Sequence, residues 1–148
     1  MKSGHLADAL SEFHRRNTVS ARRKVLEALA SSELIFPAAE RREQGGQGLA
    51  LAFAKDRQGH PVLPGFTDER HLREWLPTGG PHATAPAVAF LPTVLAGPFV
   101  GLVINPGSPA SAFVDRRALE LLAAGKQPTA EEGILVRAWE AAVSDGPY

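Results

Sequence analysis

The sequence predicts an α+β (mixed α/β) fold, a single compact domain in which about five short helices flank a small mixed sheet with one hairpin. Two kinds of pattern indicate this class. Apolar residues recur with helical spacing in several stretches, and shorter apolar runs bounded by turn-forming residues are typical of strands. The length of 148 residues is that of an ordinary domain, so we expect one domain over residues 1–148.

The first two helices are predicted from the spacing of their apolar residues. Leu6, Ala9, Leu10 and Phe13 recur at i, i+3, i+4 and i+7, which is one face of an amphipathic helix. The same spacing over residues 19–30 predicts a second helix.

Short apolar runs predict the strands. These runs comprise residues 34–38 (ending near Pro37), 49–54, 61–66, 88–90 and 99–104. A turn that contains Gly59 joins the second and third runs into a hairpin. The fifth run is dense in large apolar side chains, so we expect it to be a buried central strand. Loops are expected at 41–48 and 77–86, which are rich in turn-forming residues.

A third helix is predicted directly after the hairpin. Either Thr67 or Asp68 caps it, and its Leu72, Trp75 and Leu76 share one face. That apolar face needs a cover, and the predicted central strand is the best supplied with apolar side chains.

The remaining helices are predicted from residues that begin or end helices. Pro92 fits the first position of a short helix over 92–97, and Asp115 caps a helix that stops at Gly125. A capping box predicts a C-terminal helix over about 129–143.

One apolar core is expected to join the hairpin, the third helix and the central strand. Leu102 and Ile104 point the same way along a strand, and Phe66 precedes the helix that carries Trp75. We therefore expect Phe66, Trp75, Leu102 and Ile104 to lie in one core, with residues 105–108 at its edge.

Composition excludes several kinds of site. The chain has no Cys, which excludes disulfides, thiolate zinc sites, iron–sulfur clusters and cysteine nucleophiles. Its five histidines lack metal-ligand spacing, and its glycine-rich stretch at 45–48 lacks the context of a phosphate loop. Ser108 lacks the glycine spacing of a nucleophile elbow. The sequence therefore presents no catalytic, metal or cofactor constellation.

The balance of charge disfavours a nucleic-acid partner, and the pattern of apolar residues disfavours a membrane. Lys and Arg number 16 and so do Asp and Glu, whereas nucleic-acid binders are usually basic. One basic cluster occurs between positions 15 and 24, and without aromatic stacking partners we interpret it as solvated helix ends; it comprises Arg15, Arg16, Arg22, Arg23 and Lys24. There is no apolar leader and no unbroken apolar span, so we expect a cytoplasmic protein.

Three segments resemble the N-terminal domain of the SseB family (enhanced-serine-sensitivity protein). They are SSELIFPAAE at 31–40, LPGFTDERHLREW at 63–75 and GLVINPGSPASAFVDRRALELL at 101–122. The family's "NPGs" run is intact, whereas Asp68 replaces the usual small residue of its "PvFTs" run. The resemblance covers residues from about 20 to 124.

The resemblance implies a bacterial, cytoplasmic protein, and it transfers no catalytic residue because the family has none established. Two of the matching loops are candidates for binding a ligand or a partner, because each lies where a strand ends; they are Phe66, Thr67 and Asp68, and Asn105, Pro106, Gly107 and Ser108. For the second loop we prefer a structural interpretation, since Asn-Pro-Gly favours a tight turn.

Two functions remain open from the sequence. The preferred one is a non-catalytic module that regulates or binds a protein partner or a second copy of itself. The alternative is a sensor or enzyme for a small metabolite such as an amino acid, in which the two loops converge at strand ends and supply backbone donors.

Overall fold

The computed structural model describes residues 2–16, 18–40, 49–51, 54–55, 59–76, 82–106, 108, 110–126 and 135–137. In these ranges the elements are α1 (Lys2–Arg15), α2 (Val19–Ala30), β1 (Glu33–Glu40), β2 (Leu49–Leu51), β3 (Ala54–Lys55), β4 (Pro61–Gly65), α3 (Glu69–Trp75), β5 (His82–Pro86), α4 (Ala87–Ala96), β6 (Gly101–Ile104), β7 (Ala112–Asp115), α5 (Arg116–Ala123) and β8 (Leu135–Arg137). The predicted α+β class is confirmed. No helix in the described ranges combines the length and apolarity that a membrane crossing requires.

The described strands form two sheets, which are joined through Ile35 and Phe66. The first has the order β2-β1-β5 and is antiparallel, and the second has the order β3-β4-β6-β7-β8. Within the second sheet β4 and β6 are parallel, whereas the other pairs are antiparallel. Ile35 of β1 and Phe66 at the end of β4 join the sheets, because each donates its N–H to the other's carbonyl, at 2.8 and 2.9 Å.

Helices α1, α2, α4 and α5 cover one face of these sheets and enclose the main core. Its largest fully buried side chains include Leu6, Leu10, Phe13, Leu29, Leu34, Phe36, Leu63, Leu102, Ile104 and Leu119. Phe36 of β1 stacks on Phe90 of α4, with ring centroids 4.0 Å apart and planes 4° apart. The predicted first and second helices are confirmed, because their apolar faces lie in this core.

Two predicted helix boundaries agree closely with the structure. The Asp68 carboxylate accepts a hydrogen bond from the His71 N–H and caps α3, so Asp68 rather than Thr67 is the cap. Asp115 caps α5 in the same way, and Gly125 follows that helix with φ +78°. Local capping chemistry explains why both ends could be predicted.

The predicted end of the first strand near Pro37 is wrong, since β1 continues to Glu40. Ile35 directs its N–H toward Phe66, away from β5. The nitrogen of Pro37, two residues on, lies on that same side, so β1 pairs with β5 without losing a hydrogen bond there.

The predicted hairpin is confirmed, but the described parts of the strand that enters it pair with different strands. β3 pairs with β4, and Gly59, two residues before β4, has φ +88°. The earlier part, β2, pairs with β1 instead of β4.

Three predictions for residues 82–97 are wrong, whereas one is confirmed. Residues 82–86 form strand β5 rather than a loop, and residues 88–90 belong to α4 rather than to a strand. Pro92 lies inside that helix and not at its first position. Burial of Ala87, Leu91 and Val94 on one helical face outweighs the hydrogen bond that Pro92 removes. The predicted helix end at Gly97 is confirmed.

The predicted C-terminal helix is wrong where it can be compared. Residues 135–137 form β8, which pairs with β7 and places Val136 opposite Phe113. This pairing satisfies the backbone along an edge of β7 that a helix would leave open. The rest of the predicted helix, 129–134 and 138–143, lies outside the described residues, as does the predicted loop at 41–48.

The prediction of one shared core for Phe66, Trp75, Leu102 and Ile104 is wrong. Leu102 and Ile104 lie in the main core, whereas Phe66 and Trp75 form a second cluster with Ile35 and Leu72 on the other face. The register Leu63↔Leu102 explains this division. Phe66 is three residues after Leu63, an odd number, so its side chain points to the opposite face.

We expect Trp75→Ala to lower the free energy of unfolding by about 3–5 kcal/mol. Trp75 is 4% exposed, and its ring lies 5.5 Å from that of Phe66. Trp75→Phe is the matched control, because it keeps an aromatic ring and removes an indole N–H that has no hydrogen-bond partner. Its loss should be about 1–2 kcal/mol. Urea unfolding measures both, and a Trp75→Ala chain as stable as the wild type would contradict this packing.

Candidate functional site

The two loops singled out from the sequence lie side by side. Strands β4 and β6 are parallel, so their carboxyl ends meet at the same edge, where Gly65 pairs with Ile104. The Asn105 N–H continues this ladder by donating to the Gly65 carbonyl at 2.9 Å. Residues 66–68 and 105–108 therefore start from neighbouring points, as the metabolite hypothesis expected.

The side chain of Asn105 joins the two loops. Its Oδ1 accepts the Thr67 N–H at 3.0 Å, and its Nδ2 donates to the Thr67 Oγ1 at 3.0 Å. Both residues are buried, with 3% of Asn105 and 7% of Thr67 exposed. We call this buried pair the Asn105–Thr67 clamp.

The backbone of Asn105 explains why this residue type suits the position. Its φ of 53° lies in the left-handed region, which Asn enters more readily than most side chains other than Gly. The Asn105 carbonyl then accepts the Ser108 N–H at 3.1 Å, and the Ser108 Oγ accepts the Ala110 N–H at 3.2 Å. Pro106 is buried between them, while Gly107 lies outside the described residues.

Phe66 and Asp68 have different roles on either side of Thr67. Phe66 is fully buried against Trp75. The Asp68 side chain is half exposed, and its Oδ1 lies 2.9 Å from the His71 backbone nitrogen and 2.8 Å from the His71 Nδ1. Partial burial raises the pKa of this carboxyl, but the His71 hydrogen bonds and the nearby charges of His71 and Arg70 outweigh it and leave the pKa below its ordinary value of 3.8.

The polar groups at this junction are paired with one another. The clamp uses the amide of Asn105 together with the N–H and hydroxyl of Thr67, and the Asp68 carboxylate caps a helix. In the described ranges no group of three or more His, Cys, Asp or Glu side chains could hold a metal ion. The arrangement is thus suited to fixing the geometry of two strand ends.

The basic cluster is partly paired. The Arg15 Nη2 lies 2.7 Å from the Glu12 Oε1 on the preceding turn of α1. Arg16, Arg23 and Lys24 are exposed.

A second candidate surface, which the sequence predictions missed, lies on β5 and α4. It borders His82, which is exposed at the start of β5 and has its Nε2 4.0 Å from the Glu69 Oε2. We call it the β5–α4 surface, and it comprises the exposed residues that follow His82, namely Ala83, Thr84, Pro86, Val88, Ala89, Pro92, Thr93 and Ala96. Not one of them is charged, and no Asp, Glu, Lys, Arg or His occurs anywhere between His82 and Asp115. This uncharged run, with Ala87, Leu91 and Val94 at helical spacing, was the signal available in the sequence.

Helix α4 is held firmly beneath this surface. Its inner face packs in the main core, and the Arg116 guanidinium donates to three carbonyls at and beyond its last turn, those of Leu95, Gly97 (3.3 Å) and Phe99 (2.9 Å). The positive charge of Arg116 at these carbonyls also stabilises the negative, C-terminal end of the α4 dipole.

We expect Asn105→Ala to destabilise the fold by about 2–4 kcal/mol, because it leaves the buried Thr67 N–H without an acceptor and puts at this positive φ a residue that adopts it less readily than Asn does. Asn105→Gly loses the same hydrogen bonds but adopts this φ freely, so it should be about 1 kcal/mol more stable than Asn105→Ala. Ser108→Ala should lose less than about 1 kcal/mol, since its hydroxyl bond is local and half-buried. Denaturant unfolding ranks the three, and equal stabilities for Asn105→Ala and Ser108→Ala would contradict a structural clamp.

The family of the chain follows from a comparison with known proteins. The model of the SseB protein N-terminal domain matches residues 6–121, from α1 through most of α5, so the match begins earlier than the expected 20–124. It includes both loops of the clamp and the whole β5–α4 surface. No curated protein and no solved structure matches. The family model matches more than half of the length of this chain, so the chain belongs to the SseB family, as an SseB N-terminal domain.

Proposed function

We propose that this chain is a cytoplasmic protein-interaction module without catalytic activity of its own, and that it binds another protein chain through the β5–α4 surface. One observation carries the proposal: α4 exposes a face without charge beside an edge strand. The centres of protein interfaces are depleted in charged residues, whereas ordinary solvent-facing helices are rich in them.

The other long helices show the contrast. The exposed positions of α1 include His5, Asp8 and Arg15, and those of α2 include Arg23, Lys24 and Glu27. Burying such charges in an interface requires their desolvation, which is unfavourable unless each finds a partner. Burying the exposed face of α4 requires no desolvation of charge. Burial of the Val88 side chain, which is 38% exposed, would also lower the free energy of the complex.

The rigidity of α4 also supports the proposal. Contacts of its inner face with the core and the hydrogen bonds from Arg116 hold it in one position. Association is more favourable for a preorganised surface, because less conformational entropy is lost on binding.

The metabolite alternative would use the clamp. Its donors and acceptors bond to each other, so a ligand there would have to replace two buried hydrogen bonds. The geometry therefore favours the interaction module over the sensor.

Val88→Glu should abolish binding of the partner. Val88 and Val19 are the most exposed large apolar residues in the described ranges, and each lies in the first turn of a helix. Glu is favourable near either helix start, so Val19→Glu is a matched control for stability. We expect proteins captured from lysate by the immobilised wild type and by Val19→Glu to be depleted at least tenfold with Val88→Glu.

The thermal unfolding midpoints of all three proteins should agree, which separates loss of binding from loss of folding. Equal capture by the two glutamate variants would contradict the assignment of this surface. A wild type that captures no protein and does not self-associate would contradict the proposed function itself.

A further inference from the structure

We propose that the partner is a second copy of this chain, and that the two β5 strands pair antiparallel about a twofold axis at Thr84. This inference rests on the proposed function, because β5 is part of the β5–α4 surface. It is carried by the direction of the backbone groups of β5, by the symmetry of the sequence about Thr84 and by the lack of charge on the β5–α4 surface.

The backbone groups of Thr84 point away from the sheet. Ile35 uses both its N–H and its carbonyl with Phe66, on the side of β1 opposite β5. Ile35 and Thr84 are register partners, so they form a pair without mutual hydrogen bonds in this antiparallel ladder. The N–H and carbonyl of Thr84 are therefore directed to the outer edge, and β5 is the last strand of its sheet among the strands that the structure describes.

The proline at the end of β5 fits the same geometry. Pro86 is two residues from Thr84, so its nitrogen also lies on the outer edge, and the bonds to β1 are unaffected. On that edge it limits pairing to a short stretch centred on Thr84.

The sequence about Thr84 is symmetric. Ala83 and Ala85 flank it, so a twofold axis at Thr84 places each alanine opposite the other alanine of the second copy. Thr84 then faces Thr84 of the second copy and exchanges two N–H to carbonyl hydrogen bonds with it. Small side chains permit this approach, and opposed threonines are a favourable cross-strand pair.

The lack of charge favours self-association over other partners. In a twofold interface each residue close to the axis meets its own copy, so any charge there would face a like charge. None of the β5–α4 surface is charged, and its residues Val88 and Ala89 lie in the first turn of the helix that follows β5. Exposed edge strands are commonly protected by a lysine or another charge. Residues 83–86 of β5 carry none, and His82, the ionisable residue at the start of the strand, lies 4.0 Å from Glu69 of α3.

Light scattering and disulfide trapping test the pairing. The wild type should have twice the mass of one chain, whereas Thr84→Pro should have the mass of one chain, because it removes the edge N–H without touching the bonds to β1. Thr84→Val is the matched control, since it retains the N–H and the shape, and it should remain a dimer. A tenfold or greater rise in the dimer dissociation constant for Thr84→Pro alone is the expected result.

Disulfide trapping decides the outcome if Thr84→Pro fails to fold. The chain has no cysteine, and directly paired residues have Cα atoms about 5.5 Å apart, within the range of a disulfide. With oxidised glutathione, Thr84→Cys should become a covalent dimer, and Val19→Cys should not.

A monomeric wild type at all concentrations, or a dimer in which Thr84→Cys is not trapped, would overturn the self-pairing. If the wild type is monomeric but captures a different protein from lysate, and Val88→Glu no longer captures it, the proposed function stands without the self-pairing. The failure of one proposal is therefore distinguishable from the failure of the other.

Discussion

The described structure depends on the two buried hydrogen bonds between Asn105 and Thr67. They hold together the carboxyl ends of the parallel strands β4 and β6, which are far apart in the sequence because β4 ends at Gly65 and β6 begins at Gly101. Phe66, directly before Thr67, makes the two backbone bonds to Ile35 that join the two sheets. Gly65 permits this close approach, because a Cβ there would lie 3.0 Å from the Leu34 side chain. Three consecutive residues thus connect β1, β4 and β6.

This junction also determines what the outer edge of the molecule presents. The N–H and carbonyl of Ile35 bond to Phe66, so Ile35 and its register partner Thr84 form a pair without mutual hydrogen bonds. The N–H and carbonyl of Thr84 therefore point to the outer edge of the sheet. Phe36, the next residue of β1, points to the opposite face and stacks on Phe90 of α4. The sheet junction and the outward edge of the β5–α4 surface therefore follow from the same register of β1 with β5. The clamp has a structural role, whereas the uncharged surface is available for binding.

The parts of the fold that could be predicted from the sequence depend on neighbouring residues. Helix caps such as Asp68 and Asp115, and the helical spacing around Leu10, act within a few positions. The errors concern distant contacts. The sequence predicts a helix start at Pro92 because it does not show what α4 packs against, and β8 pairs with the edge of β7, which the local sequence does not show either. The convergence of the two loops was anticipated, but their hydrogen bonds to each other required the parallel register of β4 and β6.

Native-state hydrogen exchange of the Thr67 amide tests the central role of the clamp most directly. If the clamp holds the sheets together, this amide should exchange in the wild type only with an opening free energy close to that of global unfolding. In Asn105→Gly it should exchange through a smaller opening together with the amides of Ile35 and Phe66, while amides in the middle of α1 still follow global unfolding. Rapid exchange of the Thr67 amide in the wild type, or unchanged exchange of Ile35 and Phe66 in the variant, would contradict this account.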